Sequence, residues 1–281
     1  MKVNLRHYPD LKIEGLLPRD VWVWTPPQYK HNKSTRFPVL YMHDGQNLFD
    51  PEKSYTHITW GIAEAISKLS TWGFIQPAIV VGIDNTPNRF GDYMPTDPFE
   101  TPEGKALLTS QKEEIDQLRK QFDFVANTYI QLIVEVIKPM VDRDFRTSEK
   151  LEDTFVMGSS MGGLISIYTL IRYPQVFGGA GCLSTSWPAL GPSFAPYLQA
   201  ELPAAGYHKI YFDHGTQELD GGYATYQKQI DEVMRQRGYT LGEDWITRIA
   251  SGAPHNERAW RDRIHLPLRF LLGSEVGTQP R

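Results

Sequence analysis

Residues 158–162 carry the clearest chemical signal in this chain of 281 residues, because they read G-x-S-x-G with Ser160 in the middle. They follow the short apolar run 155–157 and precede a pattern of apolar residues at helical spacing over 164–171. In a motif of this kind the two glycines let a strand turn sharply into a helix, and the turn exposes the serine hydroxyl above the sheet. The sequence therefore predicts that Ser160 is a nucleophile.

A serine nucleophile needs an imidazole that accepts its proton and a carboxylate that orients the imidazole, because a free hydroxyl reacts poorly at neutral pH. His255 is the predicted base. It lies in a loop with Gly252 and Pro254 after the last predicted strand, downstream of every candidate acid. His43 and His214 fit less well, because they precede the nucleophile or the acid in the chain order serine, acid, histidine that α/β-hydrolases follow.

Three acidic residues compete for the role of the carboxylate. Asp213 alternates within a predicted strand and is interpreted as a structural hydrogen-bonding residue. Glu218 lies closer to the end of that strand, whereas Asp220 precedes the glycine pair 221–222, a flexible turn that can bring a carboxylate toward His255. From the residues alone, Glu218 and Asp220 both remain open.

Attack on an ester places negative charge on the carbonyl oxygen, which preplaced N–H donors must stabilise. In this topology one donor is the residue after the nucleophile, Met161. The other is expected in the loop that follows an early strand, where Gly45 and Gln46 are both candidates. These residues form the predicted oxyanion hole.

The sequence does not contain the motifs expected of a metal site or a nucleotide-binding site. The pairs His43-Asp44 and Asp213-His214 lack the clustered spacing of a metal motif such as H-E-x-x-H, and no phosphate-binding glycine motif accompanies a strand. The expected site therefore contains no metal and uses no cofactor.

The elements that must position these residues alternate between strands and helices. The almost wholly apolar run 77–83 is typical of a parallel strand covered on both faces. Strands are predicted over 20–25, 37–43, 77–83, 155–157, 176–183, 209–214 and 245–250, and amphipathic helices over 62–69, 122–140, 164–171, 226–234 and 260–272. This order predicts one α/β domain over residues 1–281, with a mostly parallel central sheet and helices on both faces.

Two segments are expected to shape the substrate pocket. Residues 84–115 contain four prolines and no sustained period, which predicts a loop-rich excursion near the active-site edge. Trp187 follows the strand after the nucleophile helix and is the predicted substrate-binding side chain.

Composition narrows the classes of partner. A net charge of −4 without a long basic run gives no general attraction to nucleic acid or to an anionic membrane, so a small-molecule or carbohydrate ester is the expected partner. The lone cysteine, Cys182, excludes an intrachain disulfide. The first residues lack the apolar core of a signal peptide, so the chain as given is expected to be soluble and cytoplasmic unless a leader was removed. The oligomeric state stays open.

Four segments together resemble the putative esterase family, which includes enterochelin-esterase-like hydrolases and carbohydrate esterase family 1. They are 41–50 (YMHDGQNLFD), 158–163 (GSSMGG), 212–216 (FDHGT) and 255–260 (HNERAW). The resemblance spans nearly the whole chain. It implies an α/β-hydrolase fold that uses no metal or cofactor, with Ser160 and His255 at matching positions. It favours Asp220 as the acid, through the pattern Gly-Thr-x-x-Leu-Asp, although the feruloyl-esterase branch has its acid nearer the Gly-Thr pair and would favour Glu218.

The function expected from the residues and the resemblance is a serine carboxylic-ester hydrolase that acts through an acyl-enzyme on acetyl or feruloyl esters of carbohydrate. A siderophore ester of the enterochelin type is the alternative within the same class. A non-catalytic binding protein on a hydrolase fold is the alternative outside it.

Overall fold

A computed structural model describes residues 4–31 and 33–273, and within these ranges it contains one sheet of eight strands. The strands are β1 (Leu5–Leu11), β2 (Arg19–Trp24), β3 (Val39–His43), β4 (Ile79–Ile83), β5 (Thr154–Ser159), β6 (Gly179–Leu183), β7 (Lys209–His214) and β8 (Trp245–Ile249). Their order across the sheet is β1-β2-β4-β3-β5-β6-β7-β8. Only the pairs β1–β2 and β2–β4 are antiparallel, and the other neighbours run parallel. The predicted α/β class with a mostly parallel sheet is confirmed.

Helices cover both faces of this sheet. They are α1 (Ile62–Thr71), α2 (Arg89–Asp92), α3 (Pro102–Ser110), α4 (Lys112–Gln121), α5 (Ala126–Gln131), α6 (Lys138–Asp144), α7 (Met161–Arg172), α8 (Phe194–Glu201), α9 (Ala224–Gln236), α10 (Glu257–Arg263) and α11 (His265–Leu272). On one face, buried residues such as Ile133 and Leu164 pack against the strands. On the other face, residues such as Ile66 and Leu268 do so. Because both faces are covered, every residue of β3, β4, β5 and β6 is buried, which explains their nearly continuous apolar sequence.

Strand β1 was not predicted from the sequence. It lies at the edge of the sheet and pairs only with β2, with an irregular register between Tyr8 and Leu11. Most of its side chains face solvent, and it contains Pro9, which an edge strand tolerates because a missing N–H need not pair there. An exposed strand of this kind has little hydrophobic pattern to detect.

The excursion over 84–115 is more helical than its sequence indicated, and this part of the prediction is corrected. Helix α3 begins with Pro102 at its first position, and the Thr101 side chain accepts a hydrogen bond from the N–H of Gly104 at 3.0 Å. Helix α4 buries only Ile115, so it shows no apolar stripe. It has acidic residues in its first turn and basic residues in its last turn, which stabilises a helix through its dipole.

Two predicted helices are interrupted. The helical stripe over 122–140 is observed as α5 and α6 joined by a π-helical stretch, Leu132–Ile137, and it begins at Ala126 because Phe122 is extended. The last predicted helix is split into α10 and α11 at Ile264. Pro267 lies in the first turn of α11, where its missing N–H costs least.

Two further observations concern the chain as a whole. Cys182 lies in β6 and is fully buried, and burial raises the pKa of its thiol well above the usual value. Along the described ranges, no single helix is both long and apolar enough to span a lipid bilayer. One bent pair, Lys112–Gln121 with Ala126–Asp144, meets the length and composition requirements only when its two parts are combined.

Candidate active site

Ser160 occupies a strained turn between β5 and α7. Its backbone angles are φ 57° and ψ −124°, a conformation that few residues with a side chain adopt. A Cβ atom on Gly158 would lie 2.7 Å from the carbonyl oxygen of Gly162, so the turn closes only with glycine at 158. The G-x-S-x-G sequence therefore forms the strand–turn–helix structure that it predicts.

The hydroxyl of Ser160 lies 3.0 Å from the hydroxyl of Ser186. The N–H of Ser186 also donates to the carbonyl oxygen of Ser160 at 3.1 Å, so the loop after β6 is attached to the turn that carries Ser160. The Ser186 hydroxyl lies 3.4 Å from the hydroxyl of Tyr223.

His255 and Asp220 are in direct contact. The imidazole Nδ1 lies 2.5 Å from the Asp220 Oδ1, and the two side chains are 8% and 0% exposed. The imidazole packs edge-on against the rings of Tyr223 and Trp260, with centroid distances of 5.8 and 5.1 Å. Tyr223 thus contacts both His255 and Ser186, and Ser186 in turn contacts Ser160. These contacts connect the three residues predicted from the sequence in one cluster.

Asp220 is held from its other side as well. Its Oδ2 accepts hydrogen bonds from the N–H of Gly215 at 2.5 Å and from the Ser184 hydroxyl at 2.6 Å. Burial by itself raises the pKa of the Asp220 carboxyl, but the hydrogen bonds from His255, Ser184 and Gly215 outweigh it, so the pKa lies below its usual value. The group is therefore ionised at neutral pH.

The close approach of Gly215 explains the Gly-Thr sequence after β7. A Cβ atom at this position would lie 2.8 Å from the Asp220 Oδ2 and 2.1 Å from the carbonyl oxygen of Ala253. A larger residue would push apart the two loops that carry Asp220 and His255.

The other candidate acids lie elsewhere. Glu218 is exposed with φ 54°, and its side chain makes no hydrogen bond to the part of the chain that the structure describes. Asp213 is buried in β7 and accepts two hydrogen bonds from Arg263, both at 3.0 Å. Asp213 therefore has a structural role, as its place in the strand predicted. Among these three acids, only Asp220 contacts His255.

The predicted oxyanion donors come from two adjoining elements. Met161 is the first residue of α7, so its N–H lies at the positive end of the helix. Gly45 and Gln46 begin a 3-10 turn that follows Asp44, the first residue after β3. A Cβ atom on Gly162 would lie 3.5 Å from the Cβ of His43, so the end of β3 lies beside the start of α7.

An ion pair that was not predicted supports the β3 loop. Asp44 has φ 58°, and its carboxylate accepts hydrogen bonds from the Arg89 Nε at 2.7 Å and Nη2 at 2.8 Å, and from the Asn85 Nδ2 at 2.6 Å. Burial raises the pKa of Asp44, but the charge and hydrogen bonds of Arg89 lower it by more. The pKa of Asp44 therefore lies below its usual value, and the group is ionised. No local signal in the sequence pairs these residues, which are separated by 45 positions.

His43 is held beside this ion pair and has a structural environment. Its Nδ1 lies 2.7 Å from the hydroxyl of Tyr129. Burial lowers the pKa of His43 to about 3, so the ring is neutral.

Trp187 does not present an open surface to a ligand. Its side chain is 2% exposed, its Nε1 donates to the Gln227 Oε1 at 2.9 Å, and its ring packs against Phe194 and Phe212. The predicted substrate-binding side chain therefore occupies a packing position, in the same loop as Ser186.

A pocket lies beside Gly45 and Gln46, in the loop that follows β3. It has a volume of about 440 Å³ and is lined by Leu5, Trp22, Gly45, Gln46, Phe49, Asp50, Pro51 and Lys53. The Trp22 Nε1 donates to the Asp84 Oδ2 at 3.1 Å, and the Lys53 ammonium lies 4.0 Å from the centre of the Trp22 ring. This pocket is not predictable from the sequence, because its residues come from β1, β2 and the loop after β3, which only the fold brings together. Within residues 4–31 and 33–273, no group of three or more His, Cys, Asp or Glu side chains is placed to hold a metal ion.

The chain is similar in sequence and in structure to known proteins. The chain is 22% identical over 262 residues to the uncharacterised protein YbbA of Bacillus subtilis (strain 168), covering 91% of this chain and 93% of that protein. Among solved structures it is similar to a ferulic acid esterase, with a TM-score of 0.66 and 14% identity, covering 95% of this chain and 97% of the other. It is also similar to the enterobactin esterase of Shigella flexneri, with a TM-score of 0.68 and 18% identity, covering 96% of this chain and 60% of the other.

The structural similarities show the α/β-hydrolase fold. A family model described as "Putative esterase" matches residues 18–266, a range that contains Ser160, Asp220 and His255. The chain therefore belongs to the putative esterase family, which is a family of hydrolases.

Proposed function

We propose that this chain is a serine carboxylic-ester hydrolase that acts through an acyl-enzyme. The observation that carries the proposal is the contact of 2.5 Å between the His255 Nδ1 and the Asp220 Oδ1, in the same cluster as the strained Ser160 turn. A buried, ionised carboxylate at Nδ1 leaves Nε2 without a proton, which is the tautomer that a general base needs.

In the proposed reaction the Ser160 Oγ attacks the ester carbonyl while the His255 Nε2 accepts the serine proton. The imidazolium then returns that proton to the departing alcohol, which leaves Ser160 acylated. Water, deprotonated by the same imidazole, attacks the acyl group and releases the acid. In the resting structure the Ser160 Oγ contacts Ser186, so the hydroxyl turns from Ser186 toward His255 when a substrate binds.

The proposed oxyanion hole consists of the N–H of Met161 and an N–H of the 3-10 turn that contains Gly45 and Gln46. Both lie at helical N-termini, where unpaired N–H groups point outward. Each donor of this kind contributes about 100-fold or more to the rate of acyl transfer.

A fluorophosphonate probe and the substrate p-nitrophenyl acetate test the mechanism. The wild type is expected to be labelled at Ser160 and to hydrolyse the ester, whereas Ser160→Ala and His255→Ala are expected to lose both properties. Ser159→Ala is the matched control, because it removes the neighbouring hydroxyl of the same turn and should keep activity. Hydrolysis by Ser160→Ala at the wild-type rate would refute the mechanism. A folded wild type that neither labels nor hydrolyses any ester would favour a non-catalytic binding protein.

For the substrate we propose acetyl or feruloyl esters of carbohydrate. The support is the pocket beside Gly45 and Gln46, where Phe49 offers aromatic surface to a sugar or an aryl ring. The two faces of the Trp22 ring are covered by His7, which stacks on it at 3.9 Å, and by the Lys53 ammonium. The fold similarity to a ferulic acid esterase agrees with this choice.

A siderophore ester is the second candidate, and the Lys53 ammonium in the same pocket favours it, because a catechol ring carries acidic hydroxyls. A screen of p-nitrophenyl acetate, methyl ferulate and enterobactin distinguishes the candidates. For a feruloyl substrate, Phe49→Ala should raise KM much more than Lys53→Ala does. For a siderophore substrate, Lys53→Ala should have the larger effect.

A further inference from the structure

The hydroxyl of Ser184 lies directly behind Asp220 and makes three hydrogen bonds. It donates to the Asp220 Oδ2 at 2.6 Å. It accepts from the Trp260 Nε1 at 3.0 Å and from the Arg263 Nη2 at 2.8 Å. Ser184 is fully buried, so water does not compete for any of these bonds.

The direction of these bonds follows from the chemistry of the partners. An indole N–H and a guanidinium can only donate, so together they occupy both lone pairs of the Ser184 hydroxyl. The hydroxyl has one hydrogen, and the remaining partner within reach, the Asp220 Oδ2, is an acceptor. The hydrogen of Ser184 is therefore committed to the carboxylate.

Arg263 is itself fixed by a second buried carboxylate. Its Nε lies 3.0 Å from the Asp213 Oδ2 and its Nη2 lies 3.0 Å from the Asp213 Oδ1, and the two side chains are 7% and 1% exposed. The hydroxyl of Tyr211 donates to the Asp213 Oδ2 as well, at 3.1 Å. Asp213 in β7 thus fixes the orientation of the Arg263 guanidinium.

We propose that Ser184 and Arg263 are positioning residues of this site. Arg263, held by Asp213, and the indole of Trp260 orient the Ser184 hydroxyl, and Ser184 fixes the Oδ2 of Asp220. The carboxylate then cannot rotate, and its Oδ1 remains directed at the His255 Nδ1. This inference rests on the proposed esterase function for its effect on rate, but the hydrogen-bond chain itself does not depend on that function.

The first experiment removes the hydroxyl in two ways. Ser184 has φ 43°, a left-handed conformation that glycine adopts more easily than alanine. Ser184→Gly and Ser184→Ala both remove the hydroxyl, but only alanine keeps the backbone strain. The two variants are expected to lose kcat alike, by about tenfold, with unchanged KM, a smaller loss than the roughly 10⁴-fold effect of neutralising a triad acid. Ser193→Ala, which removes another fully buried hydroxyl, is the control and should keep the wild-type kcat.

The second measurement is independent of turnover. The proton between the His255 Nδ1 and Asp220 is expected as a far-downfield resonance in the proton NMR spectrum, assigned by its loss in His255→Gln. Ser184→Gly should shift this resonance upfield or broaden it, whereas Ser193→Ala should leave it unchanged. An unchanged resonance together with an unchanged kcat in Ser184→Gly would overturn the proposal. If the wild type shows the resonance and its response but hydrolyses no ester, the positioning chain stands and the esterase function fails.

A double-mutant cycle tests whether Arg263 acts through Ser184. Arg263→Lys keeps a cation near Asp213 but lacks the fork that contacts both Asp213 and Ser184. Its kcat is expected to fall by about the same factor as that of Ser184→Gly, and the double variant should lose no more than either single variant. Losses that multiply in the double variant would show that Arg263 acts by another route. Urea unfolding of each variant verifies that the rates are measured on folded protein.

Discussion

Arg89 and Asp44 join the helical excursion to the end of β3 through two parallel hydrogen bonds, from Nε to Oδ1 at 2.7 Å and from Nη2 to Oδ2 at 2.8 Å. Asp44 directly precedes Gly45 and Gln46, the proposed source of an oxyanion donor. The segment over 84–115 therefore supports the loop after β3, through the first residue of α2.

Replacing Arg89 with lysine should lower kcat by about tenfold, because a single ammonium cannot hold both carboxylate oxygens and the β3 loop gains freedom. Arg89→Met should lower kcat further, and it should reduce the free energy of unfolding by about 2 kcal/mol, since it leaves Asp44 ionised, buried and without its cation. Steady-state kinetics and urea unfolding measure the two effects. A wild-type kcat in Arg89→Met would show that this ion pair does not contribute to the rate.

The two acids that the sequence left open should differ sharply in their effect. Asp220→Asn is expected to reduce kcat by about 10³- to 10⁴-fold, because an amide cannot hold the imidazole in the required tautomer or stabilise its charged form. Glu218→Gln changes an exposed side chain and should retain the wild-type rate. Rates of p-nitrophenyl acetate hydrolysis decide the matter, and a larger loss in Glu218→Gln would contradict the proposed triad.

Gly158→Ala should destabilise the fold, since its methyl group would lie 2.7 Å from the backbone of Gly162 and the Ser160 turn would have to open. We expect a loss of about 2 to 3 kcal/mol, as for other overpacked positions, together with loss of fluorophosphonate labelling. Gly222→Ala is the matched control, because a Cβ atom there meets nothing within 4 Å. Equal melting temperatures for the two variants would refute the steric account.

The stability of the protein should depend on pH through Asp84. Burial raises the pKa of this carboxyl to about 6, against the hydrogen bond from Trp22 that lowers it. Between about pH 4 and pH 6 the unfolded chain has lost this proton while the folded chain keeps it, so the free energy of unfolding contributed by Asp84 falls as pH rises. Asp84→Asn lacks this dependence. Relative to the wild type, it should gain at most about 3 kcal/mol between pH 4 and pH 7, measured by urea unfolding at both pH values. A constant difference between the two proteins would show that Asp84 does not titrate in this range.

The sequence predicts the parts of this site that depend on local chemistry. Ser160 and His255 were identified because glycine-containing turns follow their strands, and the parallel order places the ends of successive strands at one edge. The choice between Glu218 and Asp220 could not be made from residues alone, because it depends on which way a 3-10 turn directs its side chains. The ion pair of Arg89 with Asp44 and the place of Trp22 in the pocket were not predicted, since both join positions that are distant in the sequence. Strand β1 and helix α4 lack an apolar stripe, and so their sequences carry no periodic signal.

The burial of Cys182 has a practical consequence for spectroscopy. It is the single cysteine of the chain, and its thiol is enclosed in β6 with a strongly raised pKa, so maleimide reagents should not modify it in the folded protein. A cysteine introduced at an exposed position such as Tyr55, which is 86% exposed, would then be the only labelled site. Fluorescent or spin labels can therefore be attached without first removing the native thiol, so a single label in the loop after β3 can report changes in local mobility or polarity during substrate binding.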